Sequence, residues 1–287
     1  MPLPDAFVRG PASVDRRTMS LKSSVRSLLA PLLPDGVRRR ILQRYYLSKV
    51  KTYRRANWDT GEDDLQVVRH LIEPGDHVVD VGANFGFYTA YLSERVGRDG
   101  AVTSFEPIPR TFDLLAYNVR KLPLANVRLF NCGVSDHDGS AKMGIPQFDS
   151  GVDNYYQATL VGPDSSSAFS QQVPVELKTL DSVFAGSKLA FLKIDVEGHE
   201  LHAIGGAQRL IQESRPALMI EVSGDPDDRN SNAFELSQRL QANGYAAYWY
   251  DGQMLRPRST GDTSINYFFL TADQHRRLAT RIRCATQ

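Results

Sequence analysis

The chain has 287 residues, 41% of them hydrophobic and 23% charged, with 13 Phe and 12 Tyr, a composition that buries a core and excludes a wholly disordered, collagen-like or repeat-built protein. Its two cysteines, Cys132 and Cys284, sit in no metal-ligand or redox spacing, no apolar run is long enough to span a bilayer, and Arg16 and Arg17 interrupt the core a signal peptide needs. The formal net charge of +1 hides a polarised chain, because residues 1–55 hold thirteen Arg or Lys against Asp5, Asp15 and Asp35 and the remainder is acidic.

Residues 1–24 mix Pro, Gly, Ser and Arg without periodicity and are expected to form a mobile tail. Residues 25–60 read as a basic helical extension. The text VRSLLAPLL is broken by Pro31 and Pro34, and Val37, Ile41 and Tyr45 then recur at helical spacing, which predicts two amphipathic helices. Such helices either cap the main domain or contact an anionic surface; peripheral membrane contact through residues 25–55 fits their charge. A cytoplasmic protein is expected, associated at most with a membrane surface.

From residue 61 to 275 short apolar runs alternate with helical stretches, the α/β signature. Seven strands are predicted: HVVDVG, AVTSFEP, NVRLFNCGV, LAFLKIDVEG, ALMIEVS, YAAYWYDG and NYFFL, the last two pairing antiparallel at an edge. The polar stretch from Gln147 to Gln172 reads as an inserted hairpin or lid loop anchored by Tyr155 and Tyr156, and residues 276–287 as a C-terminal tail.

The most specific text of the first half is VVDVGANFGFYT, residues 78–89, which closes one strand and opens a helix. Ligands of open α/β sheets bind at that end. Gly82 and Gly86 permit backbone angles closed to other residues, Asn84 tolerates the left-handed region, and Ala83, Tyr88 and Thr89 complete the candidate ligand-facing turn. The spacing lacks the third position of a dinucleotide fingerprint, and Asp80 aimed into the crevice would repel a pyrophosphate. Glu106 ends the next strand, 24 positions after Gly82, where an acid accepts ribose hydroxyls; Pro107 follows it. Asp80 and Glu106 together select a nucleoside with no phosphate beside its ribose, a description that S-adenosylmethionine meets. Asn131, Cys132, Gly133 and Asp136 fall where the adenine ring would lie.

In the second half LKIDVEGHEL places Asp195, Glu197, His199 and Glu200 at the end of a strand, and LMIEVS brings Glu221 to the same sheet edge. Clustered carboxylates raise one another's proton affinity and suit either a general base or a divalent cation such as Mg²⁺ or Mn²⁺; no metal ligand is assigned. Asp195 and His199 are expected to share the base role, because His199 alone has an unperturbed pKa near neutrality, with Glu197 and Glu221 beside them. Alternatively, individual acids cap the following helix or pair with Lys193 or Arg215.

VVDVGANFGFYT, SFEP, GVSDHDG, LKTLDSV, LKIDVEGHEL, the Gly205-Gly206-Ala207 turn and LMIEVS occur in the order of the FkbM family of methyltransferases, which residues 62–223 resemble. The resemblance implies a class I, Rossmann-like fold with a mostly parallel sheet and helices on both faces. It also implies S-adenosylmethionine as cofactor and O-methylation of a hydroxyl on a sugar, glycolipid or polyketide-type acceptor. By position, Asp80, Gly82, Asn84, Gly86 and Glu106 resemble the cofactor side, and Asp195, Glu197 and Glu200 the signature acids. The rival readings are an NAD(P)-dependent oxidoreductase, a nucleic-acid methyltransferase and a membrane-peripheral binding module without catalysis. The incomplete glycine fingerprint opposes the first, and with no NPPY-like tetrapeptide for a flipped base, nucleic acid is not expected as a partner.

Overall fold

The computed structural model describes residues 34–59, 63–147, 153–161 and 169–285. The expected tail, the first predicted helix up to residue 33, and residues 148–152 and 162–168 of the insertion lie outside the described residues. Helix α1 (Asp35–Arg55) starts directly after Pro34, whose missing N–H costs nothing ahead of a helix. It is followed by α2 (Leu65–Leu71), β1 (His77–Val81), α3 (Phe87–Val96), β2 (Ala101–Phe105), α4 (Pro109–Lys121) and β3 (Val127–Phe130). Next come β4 (Gly133–Val134), β5 (Gly139–Ile145), β6 (Thr159–Leu160), β7 (Gln171–Lys178) and α5 (Leu180–Val183). The chain continues through β8 (Phe191–Ile194), α6 (Glu200–Gly205), α7 (Gln208–Ser214), β9 (Ala217–Glu221) and α8 (Asn232–Ala242). It ends in β10 (Tyr245–Tyr250), β11 (Leu255–Pro257), β12 (Asn266–Thr271) and α9 (Ala272–Ala279).

The main sheet is ordered β11-β10-β12-β9-β8-β1-β2-β3. Strands β3, β2, β1, β8 and β9 are parallel, while β12 runs antiparallel to both β9 and β10. This is the class I, Rossmann-like α/β frame expected from the sequence. The chain runs outward from β1 to β3 and then returns to β8 on the other flank of β1, so the crevice for a ligand opens above β1 and β8. Apolar clusters cover both faces: Val79, Leu192, Ile194 and Leu218 belong to one, Val78, Phe191, Met219 and Phe268 to the other.

The sheet departs from the sequence reading in three places. It has eight strands rather than seven, because β11 pairs antiparallel with β10 at the edge. Strands β10 and β12 pair antiparallel as expected, but the pair is flanked on both sides, with β12 against β9: Tyr267, Phe268, Phe269 and Leu270 are all at most 2% exposed, a continuous apolar run that needs neighbours on both sides. Residues 276–285 are not a free tail. A capping box between Thr271 and Gln274 starts α9, Leu278 is buried, and Cys284 bridges Leu255 of β11.

The insertion belongs to a second sheet ordered β4-β7-β5-β6, in which β5 and β7 pair from Gly139 opposite Leu177 to Ile145 opposite Gln171. Ile145, Val175 and Leu177 pack there against Ile108, which leaves this sheet as a wall beside the crevice. Among the described residues no helix is long and apolar enough to cross a membrane.

Candidate active site

A cleft opens at the carboxyl ends of β1, β2, β8 and β9, with the second sheet as one wall. Its floor is made by the turn after β1. Gly82 and Ala83 both donate their N–H to Phe105 O, at 3.0 and 2.9 Å, folding the turn onto the end of β2. Gly82 sits at φ 77°, and a Cβ there would lie 1.8 Å from the carbonyl oxygen of Asp195, so only glycine lets the loops after β1 and β8 meet. Asn84 takes φ 51°, and Asn118 of α4 ties the turn down by donating to Phe85 O at 2.8 Å.

Glu106 faces this turn from the end of β2. Its two carboxylate oxygens accept N–H groups from Asn84 and Ile108, each at 3.0 Å, which fixes the carboxylate without using up its lone pairs. Burial pushes its pKa to about 7 against those two hydrogen bonds.

The opposite rim carries three acids. Asp195, Glu197 and Glu221 place carboxylate oxygens within 4.8 Å of one another, close enough to share a proton or a cation. Burial and repulsion from Asp195 push Glu197 and Glu221 to about 7. Glu197 adopts φ 50°, a strained angle for a residue with a side chain, and Thr159 of the second sheet donates to its carbonyl at 2.9 Å. Asp195 is held by Lys193, whose ammonium lies 3.0 Å from Asp195 Oδ2 and 3.8 Å from Asp80 Oδ1. Lys193 is 4% exposed; burial pulls its pKa down, but Asp195 and Asp80 outweigh it and hold the group above the usual lysine range.

His199 lines the same cleft, with Nε2 3.0 Å from Ser135 Oγ and its ring stacked on His202. Burial and the neighbouring His202 lower its pKa to about 4, so it is neutral near pH 7 and does not change its charge there. On this rim the neutral-range groups are therefore Glu197 and Glu221, not the histidine. Glu200 faces away from the cleft: its carboxylate accepts the Gly198 N–H at 2.8 Å and the Ser223 hydroxyl at 3.1 Å, closing the turn that starts α6.

Of the other residues singled out in the sequence, Gly82, Asn84, Glu106 and Pro107 line the cleft, as do Cys132 and Gly133. Asp80 does not reach it. Its side chain is fully buried, accepts from Thr89 Oγ1 at 2.7 Å and faces Lys193, and burial pushes its carboxyl up. Thr89 is spent on Asp80 and Ser104, Tyr88 lies under the Lys193 ammonium at 4.8 Å, and Gly86 packs toward Leu115. Asn131 donates to the carbonyls of Glu106 and Pro107 and so braces the loop from behind, while Asp136 points to solvent beside His137.

The role of Lys193 was not read from the sequence, where it figured only as one partner an acid could take. The signal was present: a lysine in the run Phe191–Ile194, every residue of which is buried, needs an anion beside it.

The model of the methyltransferase FkbM domain matches residues 80–247. The chain is 28% identical over 177 residues to the hexuronic acid methyltransferase AglP of Haloferax volcanii, a stretch that covers 58% of this chain and 66% of that protein. It is also 28% identical over 102 residues to a protein-L-isoaspartate O-methyltransferase of Methanococcus aeolicus, covering 36% of this chain and 43% of that one. The chain thus spans less than two thirds of the length of either relative. Among solved structures it is similar to the methyltransferase FkbM of Methylobacillus flagellatus KT, with a TM-score of 0.44 and 18% identity over 90% of this chain and 63% of that one.

Proposed function

The chain belongs to the FkbM methyltransferase family, and on that premise we propose that it transfers a methyl group from S-adenosylmethionine to a hydroxyl oxygen of a sugar-type acceptor. The observation that carries this reading is the pairing, in one cleft, of Glu106 on the nucleoside side with Glu197 and Glu221, both near pKa 7, on the other.

The residues present suit such a donor. Glu106 is fixed by two backbone N–H groups and keeps lone pairs for a ribose diol, and Phe105, Ile108 and Leu177 give the cleft an apolar wall for a purine. The chemistry S-adenosylmethionine supplies when bound is a methyl group on a cationic sulfur, an electrophile that needs no Lewis acid.

What remains for the protein is to hold the acceptor in line and take its proton. Alignment is worth about 7 to 11 kcal/mol of the barrier in favourable cases. Glu197 is assigned as the base: its pKa of about 7 leaves it partly ionised near neutrality, and its strained backbone is pinned by Thr159. Asp195, tied to Lys193, and Glu221 stand beside it as the neighbours that raise or share its proton. His199, neutral and anchored on Ser135, offers a hydrogen bond to the acceptor rather than a base. Four carboxylates around one cleft disfavour an anionic acceptor and favour a neutral hydroxyl.

The name of the Haloferax volcanii relative supports a sugar acceptor. The test is incubation with methyl-labelled donor and a panel of neutral sugars and uronic acids, followed by mild base. A base-stable methyl ether on a neutral sugar is expected. Label released as a base-labile ester, or no donor binding in a calorimetric titration, would overturn the reading.

A further inference from the structure

Helix α1 has two unlike faces. Toward the sheet it buries Val50, stacks Tyr46 on Phe85 at 4.7 Å, sets Arg39 on Asp113 at 3.0 Å and pairs Arg54 with Glu94. On the opposite side, at the spacing i, i+4, i+8, lie Val37, Ile41 and Tyr45, exposed by 41%, 46% and 39%. Only one other large apolar side chain among the described residues, Ile265, is as exposed, so these three form the one run of exposed large apolar side chains at helical spacing among them.

Basic side chains flank the stripe. At 100° per residue Arg40 and Arg44 project on one side of it, and Arg38 and Lys49 on the other. The helix carries eight Arg or Lys against a single acid, Asp35. Arg40, Arg44, Lys51 and Arg55 have no ion pair among the described residues.

We propose that this outer face of α1 docks the protein on an anionic lipid surface, with Val37, Ile41 and Tyr45 entering the headgroup boundary and the flanking arginines on lipid phosphates. An apolar stripe with basic borders is the pattern such a surface recognises. A second copy of the helix would bring the same positive charge against it, and nucleic acid offers nothing to cover Val37 and Ile41. The inner side of the same half of α1 is fixed to the domain through Asp113 of α4 and Phe85 of the turn after β1. The inference is independent of the methyl-transfer reading.

The test is co-sedimentation of the full chain with vesicles of phosphatidylcholine and phosphatidylglycerol, against vesicles of phosphatidylcholine alone. Pelleting with the anionic vesicles only is expected, weakened about fivefold by each of Arg40→Gln and Arg44→Gln and lost in Ile41→Asp. The melting temperature of all three variants should match the parent, since these side chains face water. The proposal is overturned if the protein does not pellet, pellets equally with neutral vesicles, or if the variants bind like the parent. A dimer split by Ile41→Asp, or a duplex oligonucleotide that anionic vesicles fail to displace, would assign the face to another partner and equally overturn it.

Discussion

The Lys193 ammonium lies 3.0 Å from Asp195 Oδ2, which joins the carboxylate at the cleft rim to a cation inside the sheet. On its other side is the fully buried Asp80, whose Oδ1 has no hydrogen-bond partner and depends on that same charge at 3.8 Å. Lys193→Met therefore leaves a buried carboxylate uncompensated. A loss of about 3–5 kcal/mol in urea unfolding is expected. Parental stability in that variant would mean that Asp80 is carried by the Thr89 hydroxyl alone.

Glu197→Gln should lower kcat by about 10²- to 10⁴-fold with little change in donor affinity, and remove the rise of rate with pH through about 7. Stability should move oppositely. A carboxyl whose pKa is raised from 4.5 to about 7 on folding favours the folded state fully below 4.5, and that advantage is lost as pH rises to about 7. Urea midpoints of Glu197→Gln should therefore fall less over that window than those of the parent.

Glu106→Gln keeps an acceptor for one backbone N–H but loses the charge offered to the ribose. Donor affinity measured by calorimetry should drop about tenfold or more. In the parent it should strengthen as pH rises through about 7, because only the ionised carboxylate accepts from both hydroxyls. A pH-independent affinity would move the nucleoside away from Glu106.

Removal of divalent cations should leave the rate unchanged. Lys193 already places a positive charge beside Asp195, and a sulfonium electrophile needs no metal to activate it. Protein dialysed against chelator and then supplied with Mg²⁺ or Mn²⁺ checks this; a rate that vanishes and returns would give Asp195, Glu197 and Glu221 to a cation.

The parts of the site that local text specifies were legible. A glycine turn closing a strand, a glutamate ending the next and a cluster of acids after a third are short-range features, and the strand order brings them to one cleft. What failed needed long-range information. Asp80 read as a cleft residue because nothing in VVDVG tells that Thr89 and Lys193 close over it. His199 was given a share of the base role with Asp195 because its ordinary pKa suited the task, whereas burial and His202 move it out of range. The antiparallel pairing of β10 and β12 was legible, but not that β9 and β11 flank the pair, because that placement is decided by burial on both faces, which a sequence neighbourhood does not show.

That placement of β12 has a consequence for how the protein is made. Asn266–Thr271 is synthesised after β9 and β10, yet it supplies the hydrogen bonds that join them. In a chain that stops before β12, Ile220 and Tyr248 would belong to strands with no partner between them, an open template for any extended neighbour. Premature termination before residue 266 would leave that gap permanent, so such fragments should be captured by chaperones or deposited as aggregates instead of persisting as smaller folded enzymes.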